Sequence, residues 1–195
     1  MENCTKCGVS LGNGENFCPQ CGTPQETDPS YFEVEDRADG CRIKKYTGPN
    51  EGAVVIPSCI GGKKVVEIGD EAFFDYRGLT SITIPDSVMV IDRCAFAFCT
   101  SLASVTIPDS VTAINMGAFV FCESLASVTI PNSVTEFGAQ AFLNCESLIS
   151  ITIPDSVTEF GMGALENCYQ LTIHAPAGSA AEQYAKDYDI PFQPL

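Results

Sequence analysis

From residue 65 to residue 174 the pattern of hydrophobic and polar positions repeats at one fixed interval, the step in sequence from Leu79 to Leu102. One unit contains Ser104-Val105-Thr106-Ile107, an alternation of period two that predicts a short strand with Val105 and Ile107 inward and Ser104 and Thr106 outward. Pro108 ends that strand. An Ala-Phe segment then predicts a helical turn on the opposite side, and a leucine closes the unit. The columns agree from copy to copy: Leu79, Leu102, Leu125, Leu148 and Leu171; Phe73, Phe96, Phe119 and Phe142, each after an alanine; Ile68, Ile91, Ile114, Phe137 and Phe160. A unit this short cannot bury a core alone, so copies must stack and share one. The predicted product is a one-dimensional solenoid with parallel strands on one wall.

A cysteine keeps the same period, at Cys99, Cys122, Cys145 and Cys168. It falls three residues after the column Phe and three before the column Leu, which keeps all three on one buried face of a short helical turn. The first copy has Tyr76 at this position, so an apolar body suffices and sulfur chemistry is not required. Core packing is the reading taken. A metal or disulfide ladder and a set of reactive thiols are the alternatives; stacked side chains point parallel, which is poor disulfide geometry. Cys41 and Cys59 read as packing in the N-terminal cap. Cys94 occupies a column otherwise filled by Glu71, Gly117, Gln140 and Gly163, and reads as exposed.

These columns closely resemble the BspA-type leucine-rich repeats, with a consensus near I-P-x-S-V-x-x-I-G-x-x-A-F-x-x-C-x-x-L-x-x-I-x. The resemblance spans about residues 41–195 and includes the opening "YTGPNEGAVVIPSCIGGKKVVEIGDEAF" and the closing "HAPAGSAAEQYAKDYDIPF", which looks like the family's terminal helix cap. It implies an α/β repeat solenoid of short, right-handed leucine-rich type, with an N-terminal cap over 31–64, repeats over 65–174 and a C-terminal helical cap over 175–195. It also implies protein binding and, in exported members, adhesion to host surfaces.

Charge narrows the partners. The net charge is −15, and between Cys94 and Ala185 there is no Lys or Arg, while eight Asp or Glu occur. Nucleic acid and anionic membrane need clustered cations, so neither is expected as a partner. The beginning "MENCTKCGVS" has no secretory signal, no window approaches a membrane span, and eleven cysteines without an export signal fit a reducing cytoplasm.

Cysteine changes the picture again at the front. Cys4, Cys7, Cys18 and Cys21 are spaced C-x2-C-x10-C-x2-C, with Gly8 and Gly22 after each pair. Two residues between thiolates let one turn present both sulfurs to a metal, and two such turns complete a tetrahedron. The segment resembles the short zinc ribbons of bacterial proteins. We expect one structural Zn2+ in a ribbon over 1–23, followed by a polar linker over 24–30. A closed four-cysteine site leaves no open position for catalysis.

No catalytic constellation is legible. The only histidine, His174, stands in the last rung at an Ile column and reads as a hydrogen-bonded, partly buried imidazole. The expected function is a non-enzymatic protein-interaction module. One alternative is a cell-surface adhesin. The other is binding of glycan or another ordered lattice by the outward rows Ser81, Ser104, Ser127, Ser150 and Thr83, Thr106, Thr129, Thr152. For a protein partner or self-association, stacking would gather Phe98, Val120, Phe121 and Leu143 into an apolar strip bordered by Glu123 and Glu146. The competing reading tucks these side chains between rungs.

Overall fold

A computed structural model of the protein describes residues 26–195 together with Val9 and Gln20. Two parallel sheets run along the solenoid instead of one. The first contains Gly52–Val55, Leu79–Thr83, Ser104–Thr106, Ser127–Thr129, Ser150–Thr152, Thr172–Ala175 and Phe192–Pro194, in that spatial order. Its register follows the repeat: Ser81 lies opposite Ser104, Ser104 opposite Ser127, and Ser127 opposite Ser150. Val105 and Ile107 are buried while Ser104 and Thr106 are exposed, as the alternation predicts.

The second sheet is a correction to the one-walled expectation. The hairpin strands Phe32–Arg37 and Gly40–Tyr46 begin it, Lys63–Ile68 follows, and two-residue strands at Val90–Ile91, Ala113–Ile114, Glu136–Phe137 and Glu159–Phe160 carry it onward. Its inward residues are the Ile and Phe column: Ile68, Ile91, Ile114, Phe137 and Phe160 pair in succession.

The third wall corrects the helical turn. Glu71, Phe73 and Asp75 donate their N–H groups forward to Arg93, Ala95 and Ala97, one rung on, while Ala72, Phe74 and Tyr76 donate back to Gly69, Glu71 and Phe73. Every second donor is spent along the solenoid axis, so no α-helical ladder can form there. The alternation needs left-handed backbone at two columns. One is Glu71, Cys94, Gly117, Gln140 and Gly163, with φ from 52° to 66°. The other is Asp75, Phe98, Phe121, Asn144 and Asn167, with φ from 59° to 63°. The molecule is therefore a parallel β-solenoid, not an α/β one; among the described residues its one α-helix is the terminal Ala180–Asp187.

An unbroken column of rings fills the interior. Tyr46, Phe73, Phe96, Phe119 and Phe142 stack at centroid separations of 5.1 to 5.2 Å, the interplanar angle shrinking from 24–25° to 6°. All five are among the largest fully buried side chains. The ends are closed by other means. Phe32 packs on Tyr46 at 5.2 Å, and Thr27 exchanges hydrogen bonds with Val55 at the free edge of the first sheet. Thus part of the 24–30 segment lies against the solenoid. At the far end Ser179 caps the helix by accepting from the Glu182 N–H, Glu182 accepts from the Gly178 N–H, and Tyr184 stacks on Phe160 at 4.4 Å.

Candidate partner-binding surface

The strip inferred from the repeat exists as a contiguous feature of the turn wall. Phe74, Ala97, Val120, Leu143 and Glu166 form one row, and Asp75, Phe98, Phe121, Asn144 and Asn167 the next. Stacking is face to face between Phe98 and Phe121, at 4.7 Å and 11°, and edge to face between Phe74 and Phe98, at 5.4 Å. Phe98, Val120, Phe121 and Leu143 are each partly exposed, Ala97 is wholly buried, and Phe74 is the most open member at 42%. The rings lean on their neighbours and still face solvent, which lies between the two readings of the sequence.

Phe98 and Phe121 occupy left-handed backbone, at φ 61° and 59°. The Phe98 N–H must reach the Val120 carbonyl and the Phe121 N–H the Leu143 carbonyl, each at 2.9 Å, and only that conformation aims them so. Side chains with a Cβ resist it by about 1–2 kcal/mol, whereas Asn and Asp bond locally and tolerate it. The same column has Asp75, Asn144 and Asn167, and the Asn167 amide donates to the Asn144 carbonyl oxygen at 2.7 Å. The two phenylalanines are thus backbone misfits kept beside asparagines that suit the position.

The cysteine column is buried as expected, Cys99, Cys122 and Cys145 completely. It is more than packing. Each thiol donates to the carbonyl of the column aromatic one rung back: Cys99 to Phe73, Cys122 to Phe96, Cys145 to Phe119 and Cys168 to Phe142, at 3.2 to 3.3 Å. Tyr76 makes the same bond, donating its phenol to the Tyr46 carbonyl. The column therefore selects a donor as well as a volume. Burial pushes the Cys99 and Cys168 thiols up to about 12 and those of Cys122 and Cys145 well above their ordinary range. Such thiols are not nucleophiles at neutral pH. The described cysteines are all free, and no three His, Cys, Asp or Glu side chains among the described residues gather to hold a metal.

Cys41 is fully buried, but Cys59 is exposed, because it lies in the two-residue strand Cys59–Ile60 just before the Gly61-Gly62 turn. Cys94 is partly exposed. His174 lies opposite Thr152, in the outward Thr row and not at an Ile position, because the step from Thr152 to His174 is one residue shorter than the step from Thr129 to Thr152. The Ser and Thr rows line a shallow depression of about 320 Å³, floored by Ser104, Thr106, Asp109, Ser127 and Thr129. Cys4, Cys7, Cys18 and Cys21 lie outside the described residues.

Charge divides the solenoid. Arg37, Glu67, Arg42 and Asp92 form a chain of contacts on the early rungs, with Arg42 Nε 3.1 Å from Glu67 but off the hydrogen-bonding direction. Beyond Arg93 no Lys or Arg follows until Lys186, and Glu136 stands directly opposite Glu159.

Stacked, in-register units of this kind define a leucine-rich-repeat solenoid. The chain belongs to the BspA-type family: the family described as BspA type leucine rich repeat region matches residues 55–176 in six copies. Among solved structures it is similar to a leucine-rich repeat protein of T. pallidum, with 37% identity and a TM-score of 0.74 over 77% of this chain and 71% of that one. A leucine-rich cell surface protein of Faecalibacterium prausnitzii matches at 31% identity and TM-score 0.67, over 78% of this chain and 39% of that one. A leucine-rich repeat protein of Bacteroides ovatus matches at 26% and 0.61, over 73% and 45%. No curated protein matches the chain. Leucine-rich-repeat solenoids as a class are interaction scaffolds, and no match points to catalysis. No described helix is long and apolar enough to cross a membrane.

Proposed function

We propose that the chain is a non-enzymatic protein-binding module of the cytoplasm that docks a partner through the Phe74–Leu143 strip, with residues 1–23 folded as a separate ribbon on one structural Zn2+. The observation that carries the docking surface is the pair Phe98 and Phe121, two partly exposed aromatics at positions whose backbone favours Asn or Gly. Strained residues that persist at a surface point to use of the side chain, and apolar surface rimmed by polar groups marks interfaces. The test is a pull-down from native lysate with three baits. A partner caught by the wild type and by Thr106→Lys/Thr129→Lys on the strand wall, but lost from Phe98→Asn/Phe121→Asn, supports the reading. Loss from the strand-wall variant instead moves the site to the Ser and Thr rows and favours the glycan reading.

A second reading, a surface adhesin, draws on the cell-surface protein of F. prausnitzii among the structural matches. Fractionation of the native host separates the two: signal in the soluble reducing fraction supports the first, signal on intact cells the second.

A further inference from the structure

We infer that the segment docked on this strip is cationic and amphipathic, a stretch of another protein with apolar side chains over the rings and Lys or Arg over the flanking carboxylates. This rests on the reading of the strip as a binding surface and adds the chemistry of what it binds. Glu123 and Glu146 are successive members of the row beside Phe121 and Asn144, and Glu166 ends the row of Val120 and Leu143. All three are exposed, and none makes an ion pair among the described residues. The fourth acid at the margin, Asp75, is already engaged by Arg77 at 2.6 Å. Arg77 makes its direct contact with Asp75 and feels Glu123 only at longer range, so no direct ion pair is made by Glu123, Glu146 or Glu166 among the described residues.

Unpaired carboxylates at the edge of an apolar surface attract cations while the surface is bare and are desolvated beside them when it is covered. Exposed ring faces add to this preference, since Arg and Lys stack favourably on aromatic faces. The chain's own front segment is a poor occupant: residues 1–25 carry Lys6 against Glu2 and Glu15. A second copy presenting the same strip is disfavoured too, because its rim carries the same charge. Four rungs at about 4.8 Å give a strip about 15 Å long, the rise of roughly ten helical residues.

The test measures fluorescence anisotropy with the full chain and labelled peptides of one amphipathic pattern, Lys/Leu, Glu/Leu and Lys/Ser. Only the Lys/Leu peptide is expected to bind well. Phe98→Asn/Phe121→Asn, which changes no charge, and Glu123→Gln/Glu146→Gln, which changes no apolar group, should each weaken it by about tenfold or more. Glu136→Gln/Glu159→Gln, which removes the same charge from another wall, should change it by less than about twofold. The inference is overturned if no peptide binds, if the Glu/Leu peptide binds equally, if the Phe variant binds like wild type, or if the control pair weakens binding as much as the rim pair. It is overturned in favour of a second copy if the wild type dimerises and the Phe variant does not. Should the pull-down partner depend on Phe98 and Phe121 while the peptides show no charge preference, the docking surface stands and only the cationic assignment falls.

Discussion

Phe119 and Phe121 are two residues apart in one turn, and so are Phe96 and Phe98, yet the members of each pair live in different worlds. Phe96 and Phe119 belong to the sealed interior column, stacked at 5.2 Å and fully buried. Phe98 and Phe121 stack even closer, at 4.7 Å, but outside, partly exposed and on left-handed backbone. The inner column is what any sequence with this repeat must supply, because so short a unit has no core without it. Fold does not require the outer pair, since its own column is filled elsewhere by Asp75, Asn144 and Asn167, which suit the backbone better. The same residue type is thus structural on one side of a turn and surplus to structure on the other.

The sharpest break in that contrast comes from the inner side. Phe119→Ala should cost about 3–5 kcal/mol in unfolding free energy by chemical denaturation, since the neighbouring rings at 5.2 Å on both sides are held by their own rungs and cannot close the gap. Next is the cysteine column. Cys122→Ala and Cys145→Ala should each cost about 1–3 kcal/mol, and Cys→Val less, because the methyl groups refill the space. Valine does not recover everything, since the thiol also donates to a carbonyl. Alkylation of the native protein should label Cys59 and spare Cys99, Cys122 and Cys145.

Alkali reads the same column without mutation. An ordinary thiol in the unfolded chain ionises near 9, whereas burial holds Cys99 and Cys168 protonated up to about 12. The folded state is favoured in full below pH 9, and that advantage disappears as pH rises towards 12. The melting temperature under reducing conditions should therefore stay level to about pH 9 and fall steeply above it. Cys122→Val/Cys145→Val should flatten the fall, and an unchanged slope would clear the thiols of the effect. A smaller change still is expected on removing residues 1–25. Zinc should drop from one equivalent per chain to none by metal analysis, while melting stays nearly constant, because the truncation keeps Glu26 and Thr27, which among the described residues tie this end to Ser58 and Val55.

Much of this was legible in the residues. The repeat length, the strand with Val105 and Ile107 inward, the burial of the cysteines and the gathering of the strip all follow from spacing. The second sheet was not, because strands of two residues such as Val90–Ile91 are too short for an alternation to register. The left-handed columns left a mark that polarity alone obscures: Gly117 and Gly163 in one, Asp75, Asn144 and Asn167 in the other, residue types that share tolerance of positive φ. Tyr76 in a cysteine column was also a signal, since thiol and phenol share a donor hydrogen besides an apolar body. His174 was misplaced because the last rung is one residue shorter than the one before it.

The most direct test sets the two columns side by side in one denaturation series. Phe98→Asn/Phe121→Asn removes both outer rings and replaces them with a residue that tolerates the backbone and can extend the ladder of Asn144 and Asn167. The double variant should fold with an unfolding free energy within about 2 kcal/mol of wild type, against about 3–5 for Phe119→Ala alone, and should lose its partner. A double variant that falls as far as Phe119→Ala would mean that the outer rings hold the solenoid together, and the distinction between the two columns would be wrong.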